Sequence, residues 1–259
     1  MTPLDQAHAQ MMRAEEDTGL RLRYFEQLVR SPLFLLLERL PRGAAIAPRL
    51  REIDGIAYVL AFDDEARLAA FAGAAASHVA LEGRALAAML KGRSLGLAVN
   101  LESGVSDYLL PPDAVAWLNR VLDAELPERE ARPQGFHPPE PPEPALLASL
   151  AQGLKGAPGA AAQAWLVGAS YADGGRGNLL ALVDAQKAAE AQLRRIVADA
   201  VAFRERPCAL DVAFVPAGGA AARALAQVGL EIPIPATAAP KPLVPPPPGS
   251  DPEKPPKLR

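Results

Sequence analysis

Two rhythms of apolar residues alternate through the first 124 positions. Thr2 can cap a helix with Pro3 at its first position, and Leu4, Met11, Met12, Leu22, Phe25, Leu28 and Val29 recur at helical spacing, with Gly19 expected to interrupt them. Ser31-Pro32 stops that pattern, because a proline disfavours the helical conformation of the residue before it. Leu33–Leu37 and Ile56–Phe62 are then short, unbroken apolar runs, as expected of strands buried on both faces. Asp63-Asp64-Glu65 follows the second run and predicts the start of a helix over Glu65–Ala72, with Leu68 and Phe71 turned to the core. Val79–Leu81 reads as a strand, Arg84–Lys91 as a helix closed by Gly92, and Leu95–Leu101 as a strand. Its hairpin partner is Asp107–Leu110, across Glu102-Ser103-Gly104, and Pro112-Asp113 opens a last helix carrying Val115, Leu118, Val121 and Leu122.

From residue 145 the elements are helix Ala145–Leu154, strand Ala164–Ser170, a turn at Asp173-Gly174-Gly175-Arg176-Gly177-Asn178 and strand Leu179–Val183. A long amphipathic helix over Ala185–Phe203 comes next, with Leu193, Ile196, Val197 and Ala200 on one face. Strand Leu210–Val215 and helix Ala220–Val228 end the series.

Prolines divide the chain. Of its 27, 18 lie in Glu125–Pro144 and Ile232–Arg259, where lost backbone donors and fixed φ angles work against regular structure. The first segment is expected to be an extended spacer, and the second, with few apolar side chains to offset ordering entropy, a disordered tail. The predicted fold class is therefore α/β with mixed sheets. A first domain spans 1–124 (core about 20–122), a Pro-rich linker 125–144, a second domain 145–235 and a tail 236–259. The two domains are expected to be distant structural echoes, though no sequence repeat is visible.

Charge narrows the function. Lys and Arg number 27 against 30 Asp and Glu, for a net −3, and no basic stripe stands ready to neutralise phosphates, which sets nucleic acid aside. No apolar run reaches the ~20 residues that span a bilayer, and the first residues lack the pattern of a signal peptide. A single cysteine, Cys208, excludes an internal disulfide. These features predict a cytoplasmic protein with no membrane partner.

Three stretches resemble the SseB (enhanced serine sensitivity) family. Arg23-Tyr24-Phe25-Glu26-Gln27-Leu28 leading into Leu33-Phe34-Leu35-Leu36-Leu37 is similar to that family's opening helix and first strand. Ile56-Ala57-Tyr58-Val59-Leu60-Ala61-Phe62-Asp63-Asp64-Glu65-Ala66-Arg67-Leu68-Ala69-Ala70-Phe71 resembles its strand followed by Glu-x-x-Leu-x-x-Phe. Leu97-Ala98-Val99-Asn100 is similar to the strand whose Asn precedes a Pro-Gly turn, although Leu101-Glu102-Ser103-Gly104 stands here instead. Residues 145–235 resemble a carboxy-terminal SseB domain in element order, supported by Leu210-Asp211-Val212-Ala213-Phe214 and Ile232-Pro233-Ile234-Pro235. The resemblance implies a serine-related role but no established reaction, cofactor or catalytic residue.

Candidate chemistry is sparse. Asp63, Asp64 and Glu65 could form an acid/base or cation site, but capping the next helix explains them. The Gly174–Asn178 stretch lacks the Lys-Ser/Thr of a phosphate loop and reads as a hairpin. His8, His78 and His137 are far apart and show no metal-ligand spacing, and Cys208 and Ser103 lie in no nucleophile motif. Trp117 and Trp165 sit among apolar neighbours and read as core residues. Pro242-Leu243-Val244-Pro245 fits a P-x-x-P ligand pattern, although a solubilising tail is the commoner use. The densest polar cluster is the loop with Asn100, Glu102, Ser103, Ser106 and Asp107, joined by Asp63 and Asp64, and it is the predicted binding site. The expectation is a noncatalytic binding or regulatory protein without metal or cofactor that engages a protein partner or small metabolite. An enzyme with a composite site, or a secretion- or immunity-associated interaction protein, is the alternative.

Overall fold

The computed structural model describes residues 1–39, 46–73, 76–124, 133–206 and 208–236. In the first half α1 (Pro3–Arg13) and α2 (Thr18–Arg30) precede β1 (Pro32–Leu36), β2 (Leu50–Ile53), β3 (Ile56–Phe62), α3 (Glu65–Ala72), β4 (His78–Glu82), α4 (Gly83–Leu90), β5 (Gly96–Val99), β6 (Tyr108–Leu110) and α5 (Pro112–Leu122). The sheet order is β4-β1-β3-β5-β6, with β2 also paired to β3. β1 and β2 share one side of β3 and parallel β5 takes the other. Side chains alternate across a strand, so each apolar run feeds two cores. Leu33, Leu35, Val59, Ala61, Leu97 and Val99 meet α1, α2, α4 and α5. Leu36, Tyr58, Leu60, Phe62 and Ala98 meet α3 through Leu68 on the opposite face.

The second half contains β7 (Pro133–His137), α6 (Pro144–Lys155), β8 (Gln163–Tyr171), β9 (Arg176–Val183), a short 3₁₀ turn (Lys187–Ala189), α7 (Glu190–Ala202), β10 (Leu210–Val215), α8 (Ala220–Val228) and β11 (Leu230–Ile232). Its order is β10-β9-β8-β11, with β7 also on β8. Leu166, Leu180 and Leu182 pack toward α6 and α7, and Val167, Leu179 and Ala181 toward α8. The two sheets share a four-strand pattern: β4-β1-β3-β5 and β11-β8-β9-β10 both run antiparallel, antiparallel, then parallel. The outer strands are reached in opposite chain order, β4 before β5 but β10 before β11. Similar sheets built by different connections leave no register for a sequence repeat.

Three expectations are corrected, and two short strands were not foreseen. The helix break falls at Asp17, which caps α2 by accepting from the Leu20 N–H (2.9 Å), while Gly19 lies inside the first turn of α2. The predicted helix Ala185–Phe203 begins later, as α7 at Glu190 after the 3₁₀ turn. The short strands β2 and β11 lacked a sufficient apolar run to be foreseen. The spacer expected over 125–144 is part strand: residues 125–132 lie outside the described residues, but β7 pairs with β8. Proline is tolerated there because Pro133 is the first residue of a strand paired on one side only. Beyond β7, the Glu140 N–H donates to Asn178 Oδ1 (3.0 Å) and Asn178 Nδ2 returns a bond to Glu140 O (3.2 Å). Of the tail predicted at 236–259, residues 237–259, and with them the P-x-x-P stretch, lie outside the described residues.

Among the described residues the halves meet through an apolar plug, two ionic contacts and hydrogen bonds to Ser149. Phe203, at the end of α7, is buried in the core of the first half, edge-on to Trp117 with ring centroids 6.5 Å apart. Beside it the buried Glu26 carboxylate accepts from Arg204 (2.5 Å) and from the Ser149 hydroxyl, and pairs with Arg30 (3.0 Å). Arg30 also donates to Ser149 O (3.2 Å), and Arg84 pairs with Asp199.

Candidate functional site

The predicted loop cluster folds into an internal clamp. Asn100, Glu102 and Ser106 take left-handed φ angles of 52°, 60° and 52°, which end β5 and turn the chain back into β6. Asn100 is fully buried; its Oδ1 accepts from the Asp63 N–H (3.0 Å) and its Nδ2 donates to Ser106 Oγ (2.8 Å). Ser106 donates onward to Asp5 Oδ1 (2.6 Å). Arg67, one turn into α3, donates to both oxygens of Asp5 (2.8 and 2.7 Å) and to Asp63 Oδ1 (2.7 Å). Thr2 completes the ring by donating to Asp63 and capping α1 in a box with Asp5. Sequence reading placed Asp63, Asn100 and Ser106 here but missed Asp5, Arg67 and Thr2. The Asp63–Arg67 spacing of four on a helix start was the available signal.

The other loop residues act locally. The Asp107 carboxylate accepts from the Glu102 N–H (2.8 Å), and Ser103 Oγ donates to Val105 O (2.6 Å). Asp64 caps α3 by accepting from the Ala66 N–H (2.7 Å).

The clamp's electrostatics oppose acid/base work. The Arg67 guanidinium holds the Asp5 carboxyl well below the usual carboxylate range, against burial, with Ser106 and the Thr2 N–H assisting. A carboxylate that stays ionised at every ordinary pH gives up no proton. A depressed folded pKa stabilises above the unfolded value near ~4 and is lost as pH falls below it. Urea titrations of wild type and D5N should therefore differ most near neutrality, the gap closing below about pH 4. A gap constant to pH 3 would refute the assignment.

Neighbouring titratable groups show the same bias. Burial pushes the His8 imidazole down, opposed by the Asp107 backbone, and pushes the Tyr24 and Tyr108 phenols up. The three rings stack edge-on at 4.9 to 6.0 Å. Burial likewise raises the Cys208 thiol, the reverse of an activated nucleophile. The glycine stretch is the β8–β9 turn, closed by Tyr171 N–H to Gly175 O (3.0 Å). Among the described residues no group of three or more His, Cys, Asp or Glu could hold a metal ion, and no helix is long and apolar enough to cross a membrane.

A second place was invisible in the sequence. Where α2 and α4 face α6 and α7, a cleft of about 680 Å³ is lined by residues of both halves, among them Arg30, Glu82, Arg84, Gln152, Lys155, Gln192, Arg195 and Asp199. The Arg84–Asp199 pair and Arg195 also border a second hollow of about 620 Å³ that reaches Leu122 and Arg194. Close packing shapes the wall: a Cβ on Gly153 of α6 would stand 2.4 Å from the Ile196 side chain of α7. Arg30 and Arg84 are already paired, whereas Lys155 and Arg195 have no partner among the described residues.

No curated protein and no solved structure matches the chain. The sequence profile of the SseB protein N-terminal domain matches residues 4–117, from the first turn of α1 into α5. That span holds the first sheet and every residue of the clamp except Thr2, and we conclude that residues 4–117 are an SseB-family N-terminal domain.

Proposed function

We propose that the chain is a noncatalytic binding protein that takes a small metabolite in the cleft between its halves. The observation that carries this reading is the cleft itself. Its volume of about 680 Å³ falls within the several hundred Å³ common to small-molecule sites, which favour the junction of two folded units. The clamp complements this assignment, since its carboxylates are committed to Arg67 and its amide to Asp63 and Ser106. A cytoplasmic role in serine sensitivity extends the proposal and rests on the family alone.

A protein partner on the loop is the second reading, favoured by Val105, 49% exposed at the loop tip, and Leu109, 36% exposed on β6. Native purification followed by denaturation and mass spectrometry of released compounds separates the two. A compound released by wild type and missing from Q192W, in which an exposed cleft residue becomes bulky, is the expected result. Equal release from both proteins, or none from either, would contradict the cleft.

A further inference from the structure

We infer that the cleft recognises a small polyvalent oxyanion, carboxylate or phosphate, held across Lys155 and Arg195; this rests on the cleft being a small-molecule site. The chain is net negative by three charges, yet the cleft is lined by four cations (Arg30, Arg84, Lys155 and Arg195) against two anions (Glu82 and Asp199). Pairing accounts for Arg84 with Asp199 and for Arg30 with Glu26. Lys155, in the last turn of α6, also complements that helix's negative end. Arg195, in the middle of α7, has neither use: no ion pair and no side-chain hydrogen bond among the described residues engages it.

Two unpaired cations on separate helices suit a ligand that carries at least two negative charges, which compensates both at once. A guanidinium offers paired donors that match carboxylate and phosphate geometry alike, so the shared chemistry is the oxyanion. Arg84, held by Asp199 and reaching Leu122 O (3.5 Å), is fixed in place and adds field without moving.

The test is calorimetric titration of the full chain at fixed ionic strength with pyrophosphate and citrate, with glucose and putrescine as neutral and cationic controls. One-to-one binding of either anion is expected, weakened at least about tenfold in K155E/R195E and abolished in Q192W. Because neither side chain makes an ion pair or hydrogen bond among the described residues, the double variant should keep the wild-type circular dichroism, with only a small drop in melting temperature from the acidic residue at the end of α6. Pyrophosphate alone would point to a phosphate ligand and citrate alone to a carboxylate. Unchanged anion binding in K155E/R195E would overturn the inference. So would glucose or putrescine binding, blocked by Q192W, with neither anion bound, although the small-molecule cleft would then stand. Binding of none of the four, together with no compound released from the native protein, would remove both.

Discussion

Replacing Arg67 with alanine is expected to lower the unfolding free energy by about 3–5 kcal/mol, the cost of stranding a buried charge by deleting its partner. The variant would leave two carboxylates, Asp5 and Asp63, buried at 2% and 3% side-chain exposure with no cation. It would also free α1, whose N-terminal turn is tied to α3 by Thr2, Asp5 and Arg67 together. Urea denaturation at pH 7 gives the value. R67A/D5N/D63N should recover part of the loss, because neutral amides are less costly to bury than unpaired carboxylates. A loss below about 1 kcal/mol, typical of an exposed ion pair, would show that the clamp does not hold the helix.

The second large effect lies between the halves. E26A removes the only acidic partner that the described residues offer to Arg204, whose side chain is 3% exposed, and leaves it facing Arg30. Arg204 Nε is already buried without a hydrogen-bond partner, so the guanidinium depends on Glu26 for its compensation. A loss of about 3–5 kcal/mol is expected, concentrated at the junction. Scanning calorimetry should turn one cooperative transition into two, as the halves cease to unfold together. One transition with an unchanged midpoint would mean that Phe203 and its neighbours join the halves without the ionic lock.

Periodicity made most of the fold legible, and physical reasons account for the remainder. Buried strands announce themselves as Leu33–Leu37, Ile56–Phe62 and Leu179–Val183 because both faces are covered, and Asp64 announces a helix start because a cap requires that side chain. β7 was hidden by proline and glycine, since a strand paired only along β8 needs few ladder donors of its own. β2, with Leu50 exposed and Arg51 and Glu52 between its apolar ends, carries too little apolar pattern to stand out. The site divided in the same way. Asn100, Ser106 and Asp63 stood out as a polar cluster near strand ends, yet their partners Thr2 and Asp5 come from a helix about 60 to 100 residues away. The cleft was illegible because Arg84 and Asp199, or Arg30 and Ser149, meet only when the halves pack, and nothing in local spacing encodes that meeting.

Hydrogen exchange of the full chain with and without saturating pyrophosphate or citrate tests the central claim most directly, because it reports both walls of the cleft and the loop at once. Protection should appear together around Gln27–Arg30 and Arg84 on one side and around Gln152–Lys155 and Gln192–Arg195 on the other. Asn100–Asp107 should stay unchanged. Protection confined to that loop, or to one wall alone, would contradict a binding site built jointly by the two halves.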